Sequence, residues 1–144
     1  VALITGAASG IGREAAVHAM TDVTGFGILG HGLEMARGSG LTLRIALSAL
    51  PVLAEAEALA RAGFVTGASH RNWASYGHEV DLPEGLEEWR RHLLTDPQTS
   101  GGLLVACDPA AADRLLAAIH AAGYPAAARI GFAEAGPGRV RIAA

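Results

Sequence analysis

The sequence predicts a single layered α+β domain with a mixed sheet. Short apolar or alternating runs that suit strands recur along the 144 residues, and segments with helical spacing of apolar residues lie between them. Hydrophobic residues make up 51% of the chain and charged residues 17%, which supplies enough apolar material for a core and excludes a disordered tail. No uninterrupted apolar run reaches the length of about 18 residues that a membrane span requires.

Six segments are predicted to be strands. Residues 41–47 alternate apolar and polar side chains, which is typical of a strand with one buried face. The apolar run 103–107 contains the single cysteine, Cys107, which we expect to be a buried thiol without a catalytic role. The remaining strands are predicted at 1–4, 17–23, 126–134 and 138–143.

Helices are predicted between these strands. Residues 28–37 have apolar side chains at helical spacing, and the Gly-Ser-Gly segment 38–40 is expected to end that helix. Pro51 is expected to open a helix that runs to residue 62. Asp108 is expected to cap a helix with proline at its first position, running to about residue 122. Two further helices are predicted around residues 86–94 and from residues 13–16.

Two segments are predicted to be irregular. Residues 63–80 have no clean period and indicate a long loop, in which Asn72, Trp73 and Tyr76 are expected to pin the chain. Residues 95–102 form a second, polar loop that contains glycine. The six histidines show no zinc-ligand spacing, so each is expected to be structural or exposed: His18, His31, His70, His78, His92 and His120.

Two glycine motifs follow predicted strands. Residues 1–14, with a glycine-rich turn at 5–12, resemble the opening of a short-chain dehydrogenase/reductase. The Tyr-x3-Lys pair of that family is missing, because the chain contains no lysine. Residues 25–30 match the dinucleotide fingerprint G-x-G-x-x-G, but no acidic residue ends the next strand. We therefore interpret this second motif as a strand-to-helix turn that requires small residues.

A different resemblance covers most of the chain. The segment 17–37, VHAMTDVTGFGILGHGLEMAR, and the segment 96–104, DPQTSGGLL, resemble the C-terminal domain of the selenophosphate synthetase (selenide, water dikinase) family. Shorter matches continue this resemblance at 50–53, 62–67, 71–73, 130–131 and 140–142. Residues 1–15 depart from it. The sequence therefore predicts a dehydrogenase-like leader at 1–15, joined to a synthetase-like domain at 16–144 by a natural fusion, a misjoined reading frame or an artificial join.

The resemblance implies a fold and an activity. The fold is the three-layer α/β/α C-terminal domain of the aminoimidazole-ribonucleotide-synthetase-like superfamily. The family uses ATP, selenide and water to make selenophosphate, releasing AMP and phosphate, and it needs Mg²⁺. The resemblance also implies an upstream N-terminal domain that holds most of the ATP, a homodimer and a cytoplasmic location. Neither nucleic acid nor a membrane is expected as a partner, since the net charge is −3 and the basic residues are scattered arginines.

The site residues follow from the two family blocks. The resemblance makes Asp22 a metal ligand, and carboxylates of this kind hold Mg²⁺ in phosphoryl transfer. The alternative is an aspartate that bonds the backbone amides of the turn. Thr21 and Thr24 are expected either to orient Asp22 or to cap the turn. The second block is a loop that also contains Asp96 and Gln98. It either contacts phosphate through hydroxyls and free amides of Thr99, Ser100, Gly101 and Gly102, or it is a turn that ends a helix and starts a strand. No catalytic residue is assigned to this chain.

Two other functions remain open at this point. The domain could retain the fold and serve as a non-catalytic docking or dimerisation module. It could also be a fragment of an NAD(P)-binding short-chain dehydrogenase, which the missing lysine disfavours.

Overall fold

A computed structural model describes residues 1–6 and 17–144, and their strands form one seven-stranded mixed sheet in the order β2-β5-β1-β6-β3-β7-β4. Neighbouring strands are antiparallel, except that β7 runs parallel to both β3 and β4. The strands are β1 (Ala2–Gly6), β2 (Val17–Asp22), β3 (Leu41–Ala46), β4 (Val80–Asp81), β5 (Leu103–Cys107), β6 (Ala128–Ala135) and β7 (Val140–Ala143). The helices are α1 (Gly27–Ser39), α2 (Ala54–Arg61), α3 (Gly67–Tyr76), α4 (Glu88–Thr95) and α5 (Ala112–Ala121).

Helices cover both faces of the sheet. On one face, Leu29 and Leu33 of α1 pack in a core with Leu94 of α4 and with side chains of six strands. On the other face, Leu115 and Ile119 of α5 pack against β1 and β5 in a second core. The molecule therefore has three layers, α/β/α, around a mixed sheet, which confirms the predicted fold class.

The strand β1 lies in the interior of the sheet. It pairs with β5 on one side and with β6 on the other, and Ala2, Leu3 and Ile4 are completely buried. Thr5 and Gly6, the first two residues of the predicted glycine-rich turn, belong to β1 and pair with β5. The rest of that turn, the helix predicted from residues 13–16 and the boundary predicted after residue 15 lie outside the described residues.

Local signals placed several helix ends correctly. Gly40 closes α1 in the left-handed conformation with φ 63°, and its backbone N–H donates to carbonyls of the last turn. The side chain of Asp108 accepts a hydrogen bond from the backbone N–H of Ala110 at 2.8 Å, as expected of a cap. A single turn of 3-10 helix, Pro109–Ala111, separates this cap from α5.

Two predictions about the middle of the chain are wrong. Residues 63–80 are not a long loop, because they contain α3 and end in the short strand β4. The helical spacing of apolar side chains is missing from this segment because the buried side of α3 includes polar Ser69 and Asn72 beside Tyr76. The helix expected from Pro51 begins three residues later, at Ala54, since Leu50 and Leu53 both adopt extended backbone conformations.

The thiol of Cys107 is buried in β5, as predicted. Burial raises the pKa of this thiol, so the reactive thiolate is disfavoured. None of the helices in residues 17–144 has the length and hydropathy needed to cross a membrane.

Candidate functional site

Two loops from distant parts of the sequence lie side by side at one end of the sheet. The paired loops are residues 22–27, which lead from β2 into α1, and residues 96–102, which lead from α4 into β5. Because β2 and β5 are antiparallel neighbours, the end of one strand adjoins the start of the other. The backbone N–H of Gln98 donates to the carbonyl of Thr24 at 2.9 Å, and that of Val23 donates to the carbonyl of Gly102 at 2.9 Å.

Close backbone contact between the paired loops depends on Gly101. A Cβ atom at this position would lie 1.7 Å from the carbonyl oxygen of Val23 and 2.9 Å from the Cβ atom of Gln98. The oxygen belongs to the backbone of a strand end, so it cannot move aside as a flexible side chain would. Glycine at 101 is therefore required for the loops to meet.

Asp22 ends β2, which is an edge strand, and its side chain is exposed. Its carboxylate accepts no hydrogen bond and forms no salt bridge within residues 1–6 and 17–144, and the hydroxyls of Thr21 and Thr24 bond elsewhere. In the same part of the chain, no three His, Cys, Asp or Glu side chains converge. Because Mg²⁺ often uses one or two carboxylates together with substrate phosphates and waters, Asp22 fits as a single contributed ligand. Its role as a ligand stays a prediction.

The second loop has an exposed polar tip and a half-buried base. Thr99 and Ser100 are exposed, whereas Gly101 and Gly102 lie deeper, against β2. A cleft of about 200 Å³ adjoins the base, with apolar walls from residues 50–53 and α4. Asp96 is already engaged at this edge, because it accepts a hydrogen bond from the hydroxyl of Thr66 at 2.9 Å. Phosphate contact by Thr99, Ser100, Gly101 and Gly102 stays a prediction.

Helix α3 holds the paired loops together. The side-chain amide of Asn72 donates to the carbonyls of Gly25 and Thr95, both at 2.9 Å. The hydroxyl of Tyr76 donates to the carbonyl of Phe26 at 2.6 Å, and burial raises the pKa of Tyr76, so it stays a donor. Asn72 and Tyr76 thus pin the chain, although they do so from a helix that the sequence analysis did not find.

Replacing Asn72 with alanine is expected to destabilise the domain by about 2–3 kcal/mol. The change removes two hydrogen bonds and leaves carbonyl groups at Gly25 and Thr95 without their partner. Urea unfolding of the variant measures the loss, with Ser75→Ala on the exposed side of α3 as the matched control. An Asn72→Ala variant as stable as the control would contradict the role given to α3.

Packing explains two of the three glycines in the motif at residues 25–30, whereas a Cβ atom at Gly25 would meet nothing within 4 Å. Gly27 has φ 67°, and a Cβ atom there would lie 2.8 Å from the carbonyl oxygen of Leu94. A Cβ atom at Gly30 would lie 3.0 Å from the ring of Tyr76. Both glycines let α1 start against α3 and α4, which confirms the interpretation as a turn that requires small residues.

The buried histidines are bound to neighbouring polar groups. His92 of α4 contacts the hydroxyl of Ser69 through Nδ1 at 2.9 Å, and its ring meets the edge of the His70 ring with centroids 4.5 Å apart. Burial, the charge of Arg91 and His70 lower the pKa of His92. Ser69 also contacts the hydroxyl of Thr95 at 2.6 Å, so this cluster fixes the residue that precedes the 96–102 loop.

The stability of the domain is expected to fall as the pH drops below about 6.5, the ordinary pKa of histidine. Because the pKa of His92 is lower in the folded state, the unfolded chain binds more protons in this range, and acid favours unfolding. Urea titrations between pH 8 and pH 5 measure the slope of the free energy of unfolding against pH. His92→Gln is expected to flatten this slope, and His18→Gln, at an exposed position of β2, is the matched control. Equal slopes in all three proteins would contradict this assignment.

Comparisons with known proteins agree on one family. The family model described as AIR synthase related protein, C-terminal domain, matches residues 3–143. The selenide, water dikinase of Rhizobium meliloti (strain 1021) is 60% identical over 126 residues, covering 88% of this chain and 36% of that protein. The selenide, water dikinase of Burkholderia pseudomallei (strain K96243) is 59% identical over the same shares. This chain therefore spans about a third of the length of these curated relatives.

A solved structure shows the same architecture. The crystal structure of E. coli HypE matches with a TM-score of 0.57 and 26% identity, covering 92% of this chain and 33% of the HypE chain. These matches give no support to the short-chain dehydrogenase alternative. Because the family model covers nearly the whole chain, the protein belongs to the AIR synthase related protein, C-terminal domain family.

Proposed function

We propose that this chain is the C-terminal domain of an ATP-dependent selenide, water dikinase, which makes selenophosphate from selenide, ATP and water with release of AMP and phosphate. An N-terminal domain binds most of the ATP, and the whole enzyme works as a cytoplasmic homodimer. The names of the curated relatives support this activity over a purely docking or dimerising role.

One structural observation carries the proposal. The two segments that resemble the family, 17–37 and 96–104, contain the paired loops, which lie about 70 residues apart in the sequence and meet through two backbone hydrogen bonds of 2.9 Å. At this junction Asp22 pairs with Leu103, the residue after Gly102, and among the described residues its exposed carboxylate has no hydrogen-bond partner. This arrangement suits a site that receives a charged substrate from a neighbouring domain.

The residues of this chain supply part of a phosphoryl-transfer site. Asp22 would provide one oxygen ligand to Mg²⁺, which when bound neutralises phosphate charge. The polar tip of the 96–102 loop, with Thr99 and Ser100, would hold phosphate oxygens through hydroxyls and free backbone amides. Asn72 and Tyr76 would keep these groups in register by holding both loops.

A chimera tests the proposal. In this chimera, residues 1–144 replace the matching C-terminal part of the R. meliloti protein, so that β1 is retained as an interior strand of the sheet. We expect AMP formation that requires both selenide and Mg²⁺. A folded chimera with no selenide-dependent AMP formation, beside an active R. meliloti enzyme, would refute the proposed function.

The 144-residue chain by itself is expected to form no AMP from ATP and selenide. It contains no lysine and no Walker-type phosphate loop, and its described residues gather no three potential metal ligands at one point. Chromatographic measurement of AMP against a buffer control checks this expectation. AMP above the control from purified chain would show that the domain carries a complete active site.

A further inference from the structure

One buried polar group at the paired loops has no part in the proposed phosphate or metal contacts. His31 lies in the second turn of α1 and is only 6% exposed, on a side of the helix that otherwise buries glycine, leucine and methionine. A buried imidazole costs free energy unless both of its nitrogens have partners. Both nitrogens of His31 do, and the identity of these partners determines the state of the ring.

The partners of His31 define its tautomer. Nδ1 lies 2.9 Å from Oε2 of Glu34, and an ionised carboxylate only accepts hydrogen bonds, so Nδ1 carries the proton. Nε2 faces the backbone N–H of Phe26 at 3.5 Å, which only donates. In the neutral ring Nε2 is therefore an acceptor. By accepting from the backbone N–H of Phe26, Nε2 also takes the place of a side-chain cap at the start of α1, since the N-cap residue Phe26 provides none.

This tautomer fixes the hydroxyl of Thr24. Oγ1 of Thr24 lies 3.1 Å from Nε2 of His31, and an acceptor nitrogen requires the hydroxyl to donate its single proton. The oxygen of Thr24 then offers only lone pairs to other groups. Thr24 is two residues from Asp22, and its own carbonyl accepts the backbone N–H groups of Gly27 and Gln98. Thr24 therefore lies where the two loops join, with its backbone carbonyl bonded to the second loop and its hydroxyl facing His31.

We propose that His31 and Glu34 are positioning residues that hold the Thr24 hydroxyl as a hydrogen-bond acceptor for a water molecule at the phosphoryl-transfer site. The proposal rests on the proposed function, in which water is a substrate. Oriented lone pairs on Thr24 accept a proton-bearing ligand such as water and disfavour an anionic oxygen at the same point. Thr24 thereby favours a water molecule over a phosphate oxygen as the neighbour of its hydroxyl oxygen.

The tautomer is measured directly on the 144-residue chain. Nitrogen-15 NMR of its imidazole rings, with assignment through His31→Gln, distinguishes a ring protonated at Nδ1 from one protonated at Nε2. We expect His31 to be protonated at Nδ1, which is the minor form in free histidine. Glu34→Leu is expected to reduce that form, while Glu55→Leu on the exposed side of α2 leaves it unchanged. A ring protonated at Nε2 in the unmodified chain would overturn the proposal, whether or not the chimera is active.

Kinetic measurements on the chimera test whether turnover depends on the oriented hydroxyl of Thr24. Thr24→Val and His31→Leu are each expected to lower kcat about 10-fold with little change in KM for ATP, which corresponds to the loss of one oriented hydrogen bond. The double variant is expected to be no slower than Thr24→Val, because the two residues act as a unit. His31→Gln places an amide near the position of Nε2 and is expected to restore most of kcat. Melting midpoints show whether a loss reflects unfolding.

The outcomes separate the two proposals. A chimera that forms no selenide-dependent AMP refutes the proposed function, and the tautomer measurement still decides how Thr24 is held. An active chimera in which Thr24→Val keeps kcat within two-fold of the parent, or in which the losses from Thr24→Val and His31→Leu multiply, overturns the positioning role alone.

Discussion

Asp22→Asn in the chimera is expected to lower Mg²⁺-dependent AMP formation by about 100-fold or more while the fold stays intact. Asparagine keeps the shape of the side chain and its capacity to accept a hydrogen bond, but it removes the negative charge that a hard cation prefers. The loss of charge stabilisation beside transferring phosphate corresponds to several kcal/mol at the transition state. The described contacts of Asp22 involve its backbone rather than its carboxylate, so the melting midpoint is expected to remain unchanged.

Turnover and thermal unfolding measured on one preparation check this result. Asp113→Asn is the matched control, because Asp113 is an exposed aspartate in the first turn of α5, on the opposite face of the sheet. A variant of Asp22 with near-normal turnover would refute the metal role and leave Asp22 as a turn residue. In that case the loss of stability is expected to be at most about 1 kcal/mol, because asparagine caps turns nearly as well as aspartate.

Gly101→Ala is expected to destabilise the domain by about 2–4 kcal/mol and to separate the paired loops. A Cβ atom placed 1.7 Å from the carbonyl oxygen of Val23 forces one backbone away from the other. The hydrogen bonds between Val23 and Gly102 and between Gln98 and Thr24 are then lost or lengthened. In the chimera, turnover is expected to fall more than the global stability explains, because the two halves of the site no longer share one geometry.

Denaturant unfolding measures the loss of stability, and amide hydrogen exchange at Val23 and Gln98 measures the loss of the hydrogen bonds between the paired loops. The matched control is Gly38→Ala, a glycine in α1 with nothing within 4 Å of its added Cβ atom. Alanine there is expected to stabilise the helix by about 0.5–1 kcal/mol. Unchanged stability together with full amide protection in Gly101→Ala would contradict the close contact of the paired loops.

The fold was predictable where backbone propensity and burial agree. The strand at residues 103–107 is apolar throughout, and its bounds are those that the sequence predicts. The helix α3 was missed because Ser69 and Asn72 are buried as hydrogen-bond partners rather than as apolar side chains, so hydrophobic periodicity has no signal there. The N-cap Thr66 was the remaining clue, since its side chain accepts a hydrogen bond from the backbone N–H of Ser69.

The candidate site was predictable in its residues but not in its assembly. The resemblance pointed to Asp22 and to the 99–102 segment, whereas their contact depends on the antiparallel pairing of β2 with β5 across about 80 residues of sequence. The role of His31 was also hidden. A histidine on a helix face has no preferred partner in the sequence, and only the placement of Thr24 and Glu34 around it reveals one.

The most direct test of the proposed function is phosphorus-31 NMR of the chimera incubated with ATP, Mg²⁺ and selenide. We expect AMP, orthophosphate and a third resonance split by selenium-77 to appear in equal amounts, because one ATP, one selenide and one water give one of each product. Release of ADP in place of AMP, or ATP consumption without the selenium-coupled resonance, would contradict the assignment of this domain to a selenide, water dikinase.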